Sequence, residues 1–201
     1  MLVVVDDPDA VEADLAARRL ACPDCGGPLA PWGFASEREL RTLGGTRRLR
    51  PRRSVCSACG ATHVLEPSST VARHRDTAEV IGAAWSAEVV GAGHRRIAAE
   101  LGRPPSTVRG WLRRLGTRAE ALRTAATGWL HALDASAGPI QARGSALADA
   151  LEAVGAAAAA ASRRLGPRPA WDTAVALTGG LLACPAPSRR GGVEGGRQAV
   201  P

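Results

Sequence analysis

The sequence predicts a mainly α-helical protein with a small β-rich region near its N terminus. Residues 20–67 are rich in Gly, Pro, Cys and Arg and contain only short β-type runs. From Thr77 onward, apolar side chains recur every three to four residues, which is the period of an amphipathic helix. The last stretch, 185–201, consists largely of Pro, Gly, Ser and Arg, and its composition predicts a disordered tail.

Residues 1–19 are predicted to form a separate N-terminal strand and helix. The apolar residues 2–5 predict either a short strand or a disordered start. Asp9 and Glu12 have the spacing of a capping box, with Asp in place of the usual Ser or Thr. We therefore expect a helix from Asp9 to Arg19.

Four cysteines in residues 20–67 form two CxxC pairs, Cys22/Cys25 and Cys56/Cys59, separated by 30 residues. Two intervening residues allow both sulfurs of a pair to reach one metal ion, and four sulfurs suit tetrahedral zinc. The separation exceeds the ~15–20 residues of the compact pattern, so a β-hairpin that turns at Gly44-Gly45 is expected between the pairs. The sequence thus predicts a four-cysteine zinc ribbon that binds one structural Zn²⁺.

Other interpretations of these cysteines are weaker. A redox CxxC pair needs a strand–helix context of the thioredoxin type, which this segment lacks. A catalytic zinc needs an open coordination position, which four thiolates do not leave. His63 has a spacing from Cys59 that would allow it to be a ligand, but the cysteines complete the set and we expect an ordinary strand residue. Cys184 has no partner and is assigned no role.

Positive charge is concentrated in the middle of the chain. The net charge is +7, with −5 in residues 1–39, +10 in 40–118 and +2 in 119–201. All 26 basic residues are Arg; a GC-rich genome would explain that choice but not the concentration, which is typical of nucleic-acid-binding proteins. Five arginines precede the second cysteine pair and are candidates for phosphate contacts, with a solvated charged face as the alternative: Arg47, Arg48, Arg50, Arg52 and Arg53.

Residues 76–116 are predicted to form three helices, the last two covering about 94–101 and 105–115. Ile97, Leu101, Val108 and Trp111 supply the apolar contacts that two crossing helices need, and the intervening Gly102 can adopt the turn's positive φ. The polar residues of the last helix face away from the apolar side, as in a helix that enters the DNA major groove: Ser106, Thr107, Arg109, Arg113 and Arg114. A purely structural pair of helices is the alternative.

This stretch resembles the helix-turn-helix of bacterial transposases and regulators with the pattern IA..LG...STVR.WL. It departs from that pattern at Arg103, where an apolar residue is usual, and at Pro104, where a Ser or Thr usually caps the second helix. The resemblance implies DNA contacts by Ser106, Thr107, Arg109 and Arg113, and phosphate contacts by Arg95 and Arg96. The order of the two modules, over about residues 20–116, is similar to an uncharacterised family of actinobacterial zinc-ribbon, helix-turn-helix proteins, often associated with transposons and other mobile elements.

Residues 117–184 are predicted to be helical, with helices at about 118–133, 142–165 and 170–182. Their apolar residues would form a core or, less favoured, a dimer seam: Trp129, Leu130, Leu133, Leu147, Leu151 and Val154. A transposase or recombinase would need a carboxylate set for two metal ions. The acids after residue 118 lie on helical segments, in too short a region for such a domain, and no enzyme is predicted: Glu120, Asp134, Asp149, Glu152, Asp172 and Glu194.

The expected function is therefore sequence-recognising binding of double-stranded DNA, as a transcriptional regulator or mobile-element accessory protein. A homodimer would suit paired half-sites. The alternative is a non-catalytic adaptor that docks other proteins through the ribbon and the C-terminal helices. With no apolar run of 18 residues and no secretory signal, we expect no membrane association and a cytoplasmic location, at the nucleoid when bound to DNA. No small-molecule ligand is predicted.

Overall fold

A computed structural model describes residues 1–180 and 182. Cys184 and the predicted tail, 185–201, lie outside the described residues. The described residues contain six strands, with one helix between the first and the second: β1 Leu2–Val4, β2 Leu29–Phe34, β3 Arg38–Thr42, β4 Gly45–Leu49, β5 Arg52–Cys56 and β6 Thr62–Pro67. The helices of the described part are α1 Pro8–Ala16, α2 Ala78–Val89, α3 His94–Leu101, α4 Pro105–Gly116, α5 Ala119–Leu133, α6 Ala146–Leu165 and α7 Ala170–Leu177. The chain is thus mainly helical with an N-terminal β region, as predicted.

The main sheet has four strands in the order β1-β6-β5-β2. β1 runs parallel to β6, and the other neighbours are antiparallel. A small buried cluster lies between this sheet and α1 and includes Leu15, Leu29 and Leu65 beside the two buried cysteines, Cys22 and Cys56. The first 19 residues therefore pack as part of the cysteine region: β1 is an edge strand of its sheet, and α1 covers part of its core.

The helix α1 starts earlier than predicted. The side chain of Asp7, not of Asp9, accepts hydrogen bonds from the backbone N–H groups of Asp9 and Ala10, at 3.0 and 3.2 Å. Pro8 occupies the first helical turn, where a proline costs no hydrogen bond. An aspartate does cap this helix, as predicted, but the capping residue is Asp7 rather than Asp9.

Strands β3 and β4 form a separate hairpin. Leu43 and Gly44 connect the strands and Gly45 begins β4, so the turn lies one residue before the predicted Gly44-Gly45. β3 lies against the segment before α2, where the Arg41 N–H donates to the Arg75 carbonyl at 2.7 Å and the Thr77 N–H to the Arg41 carbonyl at 2.9 Å. The hairpin thus lies at the boundary between the β region and the helices.

Helices α2 to α7 share one hydrophobic core, to which α2, α3 and α4 contribute the largest fully buried side chains. Trp171 of α7 meets Trp85 edge-on at 5.8 Å between ring centroids. Its indole lies directly over Gly82, where a Cβ would be 2.0 Å from the ring. Gly82 therefore allows α7 to pack against α2. No helix in the described part of the chain is both long and apolar enough to cross a membrane.

The C-terminal helices confirm the favoured interpretation of their apolar residues. Leu130 and Val154 are buried, and the other four predicted residues are partly buried against the same core. α6 begins at Ala146 rather than 142, because the side chain of Ser145 caps it. α7 ends at Leu177 rather than 182, because Gly179 and Gly180 have positive φ angles that stop the helix.

Candidate metal centre and nucleic-acid interface

The four cysteines converge on one point, as the sequence predicts. Their sulfur atoms all lie within 4.8 Å of one another, with Cys22 3.8 Å from Cys59 and Cys25 3.5 Å from Cys56. Four sulfurs at ~2.3 Å from a tetrahedral ion would lie about 3.8 Å apart. The cluster can therefore hold one metal ion without large rearrangement.

Both cysteine pairs use the same turn. The N–H of Gly26 donates to the Cys22 carbonyl at 2.8 Å, and the N–H of Gly60 donates to the Cys56 carbonyl at 3.0 Å. Both glycines have φ angles near +75°, which glycine adopts without strain. The repeated turn explains why a glycine follows each CxxC sequence.

Gly27 allows the two turns to approach each other. A Cβ at this position would lie 2.6 Å from the Cβ of Ala58 and 3.1 Å from the sulfur of Cys56. Neither neighbour is the end of a flexible side chain, so a larger residue would push the two cysteine pairs apart. The second glycine of the Cys-Gly-Gly sequence is thus required by packing.

The pKa values of two of the cysteines, Cys56 and Cys25, are shifted in opposite directions. Backbone N–H groups, first that of Cys59 and then that of Ala58, outweigh burial and lower the pKa of Cys56 to about 6. The N–H of Gly27 lowers the pKa of Cys25, but hydrogen bonds with Cys59 and Cys56, together with burial, outweigh it and raise that pKa to about 12. A divalent metal ion binds cysteines as thiolates and displaces their protons, and its charge would offset the repulsion between four sulfurs at this distance.

His63 lies at the cysteine cluster rather than in an ordinary strand environment. Its side chain is 5% exposed, and its Nε2 is 3.3 Å from the sulfur of Cys22 and 3.9 Å from a carboxylate oxygen of Asp24. The expectation of an ordinary strand residue was therefore wrong about its surroundings. The antiparallel register of β6 with β5 turns this side chain toward the sulfurs.

α3 and α4 are joined by the three residues 102–104. Gly102 is left-handed, with φ 62° and ψ 41°, as its position in the sequence predicts. Ile97 from α3 and Val108 and Trp111 from α4 are buried together. α4 begins at Pro105, and no side chain caps it.

The contacts of Arg103 explain why an arginine occupies this usually apolar position. Its Nε donates to the carboxylate of Asp76 at 2.5 Å, and its Nη2 donates to the Thr42 carbonyl at 3.2 Å. Asp76 is 2% exposed and also pairs with Arg41 of β3. These contacts fix the connection between α3 and α4 to the β3–β4 hairpin. Sequence reasoning missed Asp76 and Arg41; the arginine in a usually apolar position was the available signal.

The predicted DNA contacts on α4 divide into two groups. Ser106, Arg109 and Arg113 are exposed at helical spacing, and their side chains have no hydrogen bond or ion pair within the described residues. Thr107 and Arg114 are only partly exposed. The guanidinium of Arg114 folds back along the helix over Gly110, 3.7 Å from where a Cβ would stand.

The two arginines at the start of α3 also differ. Arg95 is exposed, with no partner in the described part of the chain. Arg96 pairs with Glu100 one turn later at 2.8 Å, and this hydrogen bond raises the pKa of Arg96. Both side chains remain at the surface, where an exposed pair of this kind is weak and exchanges readily.

The five arginines between 47 and 53 make contacts within the protein. Three pair with acids: Arg47 with Asp6 at 2.6 Å, Arg52 with Glu12 at 2.6 Å and Arg48 with Glu37 at 3.6 Å. Arg50 lies 5.0 Å from the ring centroid of Phe34, and Arg53 is 3.5 Å from the hydroxyl of Thr62. These contacts favour a structural, solvated face over phosphate binding for most of this cluster, and the phosphate role stays a prediction.

The carboxylates after residue 118 do not converge. The described ones contact different local partners: Glu120 with Arg123, Asp134 with Arg163, Asp149 with the Arg143 N–H, Glu152 with Arg143, and Asp172 with Ser68. Burial raises the pKa of Asp172. Glu194 lies outside the described residues. Within the described chain, groups of three or more potential metal ligands occur only around Cys22.

No protein-family profile matches the chain, and it has no significant match among curated proteins or solved structures. The functional proposal therefore depends on the residues and the geometry described above.

Proposed function

We propose that this chain binds double-stranded DNA in a sequence-dependent manner, with α3 and α4 acting as a helix-turn-helix and α4 lying in the major groove. The observation that carries this proposal is the two-sided character of α4. Val108, Trp111 and Leu115 are buried on one side, while Arg109 and Arg113 are exposed on the other and have no partner among the described residues. A rigidly held helix with free arginines is what recognition of base edges requires.

The chemistry of the exposed residues supports the assignment of roles. An arginine can donate two hydrogen bonds to a guanine, so Arg109 and Arg113 are the candidates for base recognition. Ser106 lies in the first turn of α4, where uncapped N–H groups and a hydroxyl suit a phosphate oxygen. Arg95 and Arg96 are placed at the start of α3 and would add sequence-independent affinity.

The metal proposed for the cysteine cluster is a single structural Zn²⁺. Cys22, Cys25, Cys56 and Cys59 would hold it, because a set of four sulfurs favours zinc over magnesium or calcium and leaves no open position. The buried cluster around these cysteines is small, so metal binding would supply much of the folding free energy of this region. Its proposed role is to fix the β region that supports Asp76 and the α3–α4 connection.

A binding experiment with matched variants tests this role of α4. The ligand is a duplex selected from random DNA by the zinc-loaded protein, and affinity is measured by fluorescence anisotropy. Replacing Arg109 and Arg113 by Ala should weaken binding by ~1–3 kcal/mol for each arginine that contacts a base. The control, Arg18→Ala with Arg164→Ala, removes the same charge elsewhere on the surface and should change affinity less than about threefold.

Unchanged affinity of the Arg109/Arg113 variant would contradict the proposal. Equal losses in the variant and the control would indicate general electrostatic attraction rather than recognition by α4.

A protein-interaction adaptor is the second candidate. It is favoured by two aromatic side chains on the edge strand β2, Trp32 and Phe34, which are 57% and 49% exposed. An adaptor of this kind would bind no duplex above the background of random DNA, and the same anisotropy measurement separates the two functions.

In the cell, the proposed role is that of a transcriptional regulator or mobile-element accessory protein. The proposed location is the cytoplasm, and the nucleoid when the protein is bound to DNA. Catalysis is not proposed, since the described carboxylates are dispersed. A homodimer on paired half-sites is the assembly that we propose. Light scattering with and without the selected duplex should show two copies per duplex, and a monomer in both conditions would exclude the dimer.

A further inference from the structure

Two of the four cysteine sulfurs accept a backbone N–H hydrogen bond, and those of Cys22 and Cys59 accept none within the described residues. The N–H of Gly27 lies 3.4 Å from the sulfur of Cys25, and the N–H of Ala58 lies 3.4 Å from the sulfur of Cys56. In both cases the donor follows its cysteine by two residues. Such N–H groups stabilise a metal-bound thiolate by withdrawing part of its charge.

Cys22 lacks this backbone donor. The residue two positions later is Asp24, and within the described residues its N–H makes no hydrogen bond to the Cys22 sulfur. Instead, Nε2 of His63 lies 3.3 Å from that sulfur, closer than either backbone nitrogen to its own cysteine. A side chain from another strand therefore occupies the place that the local backbone leaves open.

The environment of His63 leaves its Nε2 few alternatives. The ring is almost completely buried, and the Asp24 carboxylate at 3.9 Å is mostly exposed to water. Across the sheet, the register places His63 opposite Ser54, whose buried hydroxyl has no partner within the described residues. The sulfur of Cys22 is thus the nearest polar atom that Nε2 contacts.

We propose that His63 is a positioning residue of the metal centre: its Nε2–H donates a hydrogen bond to the metal-bound thiolate of Cys22 and slows release of the metal. This inference rests on the zinc centre proposed above. Four thiolates around a divalent ion carry a net charge of −2, and a buried donor offsets part of it. Loss of such a supporting contact typically weakens metal binding by about 10- to 100-fold.

From its position, Nε2 of His63 could also replace the Cys22 sulfur as a metal ligand. The test therefore separates a hydrogen-bond donor to Cys22 from a ligand of the metal. Cobalt(II) is the spectroscopic probe, because its visible and charge-transfer bands report how many thiolates bind. We compare the wild-type chain with His63→Phe, which removes the donor, and His63→Gln, which retains an N–H. Ser54→Ala is the control, because it alters the neighbouring buried position without removing a hydrogen bond to sulfur.

The donor role predicts that all four proteins give the same four-thiolate cobalt spectrum. Zinc release to a chelator should be about 10- to 100-fold faster for His63→Phe, within about threefold of wild type for His63→Gln, and unchanged for Ser54→Ala. If His63→Phe takes up no metal, His63→Gln decides: release more than about tenfold faster than wild type would overturn the proposal.

Two further results would overturn it. Unchanged release from His63→Phe would show that the contact has no influence on the metal, and a wild-type spectrum of three thiolates and one nitrogen would make His63 a ligand. A wild-type chain that binds neither cobalt nor zinc would refute the metal centre itself. The two failures are therefore distinguishable.

Discussion

Replacing Asp76 by Ala tests whether the contacts of this residue with Arg103 and Arg41 stabilise the packing of the α3–α4 connection against the β region. The Asp76 side chain is 2% exposed, and its carboxylate accepts hydrogen bonds from Arg103 and Arg41. In the variant, the guanidinium of Arg103, which is 12% exposed, keeps only carbonyl partners, including that of Thr42. A nearly buried positive charge would then lack a counter-charge.

The expected magnitude follows from the two arginines. Removing one partner of a buried ion pair costs ~3–5 kcal/mol. The side chain of Arg41 is 36% exposed, so water screens part of its interaction with Asp76, and we expect the lower end, about 3 kcal/mol. For a chain of this size, 1 kcal/mol lowers the Tm by ~2–4 °C, so the variant should melt about 6–12 °C below the wild type.

The assay is urea unfolding of the zinc-loaded protein, arranged as a double-mutant cycle with Arg103→Ala. The coupling energy between Asp76 and Arg103 should fall within ~0.5–3 kcal/mol. Arg48→Ala is the control, because its pair with Glu37 is exposed, 3.6 Å long and worth less than about 1 kcal/mol. If the unfolding free energy of Asp76→Ala lay within about 0.5 kcal/mol of the wild-type value, or if the two substitutions were strictly additive, the stabilising role of this ion pair would be refuted.

Three further outcomes are expected. Gly82→Ala should destabilise the protein by ~1–3 kcal/mol in thermal unfolding, because its methyl group would overlap the Trp171 ring. The control is Gly128→Ala on α5, which has open space around it and should be neutral or stabilising. Equal effects of the two substitutions would contradict this packing. Gly27→Ala should weaken zinc binding in a chelator competition, because its Cβ would separate the two cysteine pairs, and unchanged affinity would show that the turns can move apart. With a pKa of about 6, Cys56 is a thiolate at pH 7.5 and a thiol below pH 5. Zinc binding should therefore release about one more proton per ion below pH 5 than at pH 7.5, as measured by calorimetry. The same number of released protons at both pH values would contradict that pKa.

Local sequence rules predict those parts of the fold that depend on neighbouring residues. The CxxC spacing requires two sulfurs on one side of a tight turn, and both pairs do meet. The 3–4 spacing of apolar residues places α2 to α4 within a few residues of their observed limits. The left-handed Gly102 follows from the need to turn between two crossing helices.

The features that were missed depend on contacts between distant segments. Asp76 meets Arg103 across 27 residues, and His63 meets Cys22 across 41, so no local pattern reports either. The parallel pairing of β1 with β6 likewise requires knowledge of the sheet. Of these features, only the Asp76 contact left a signal in the sequence, namely an arginine at the usually apolar position 103.

Selection of bound sequences from random duplex DNA tests the central claim most directly. The zinc-loaded chain should enrich a common motif, and the best duplex should bind at least about 1,000-fold more tightly than a shuffled duplex at the same salt concentration. The Arg109→Ala, Arg113→Ala double variant should bind the two duplexes with affinities much closer to each other. A selected pool without a common motif, or equal affinity of the wild-type chain for both duplexes, would contradict sequence recognition by α4.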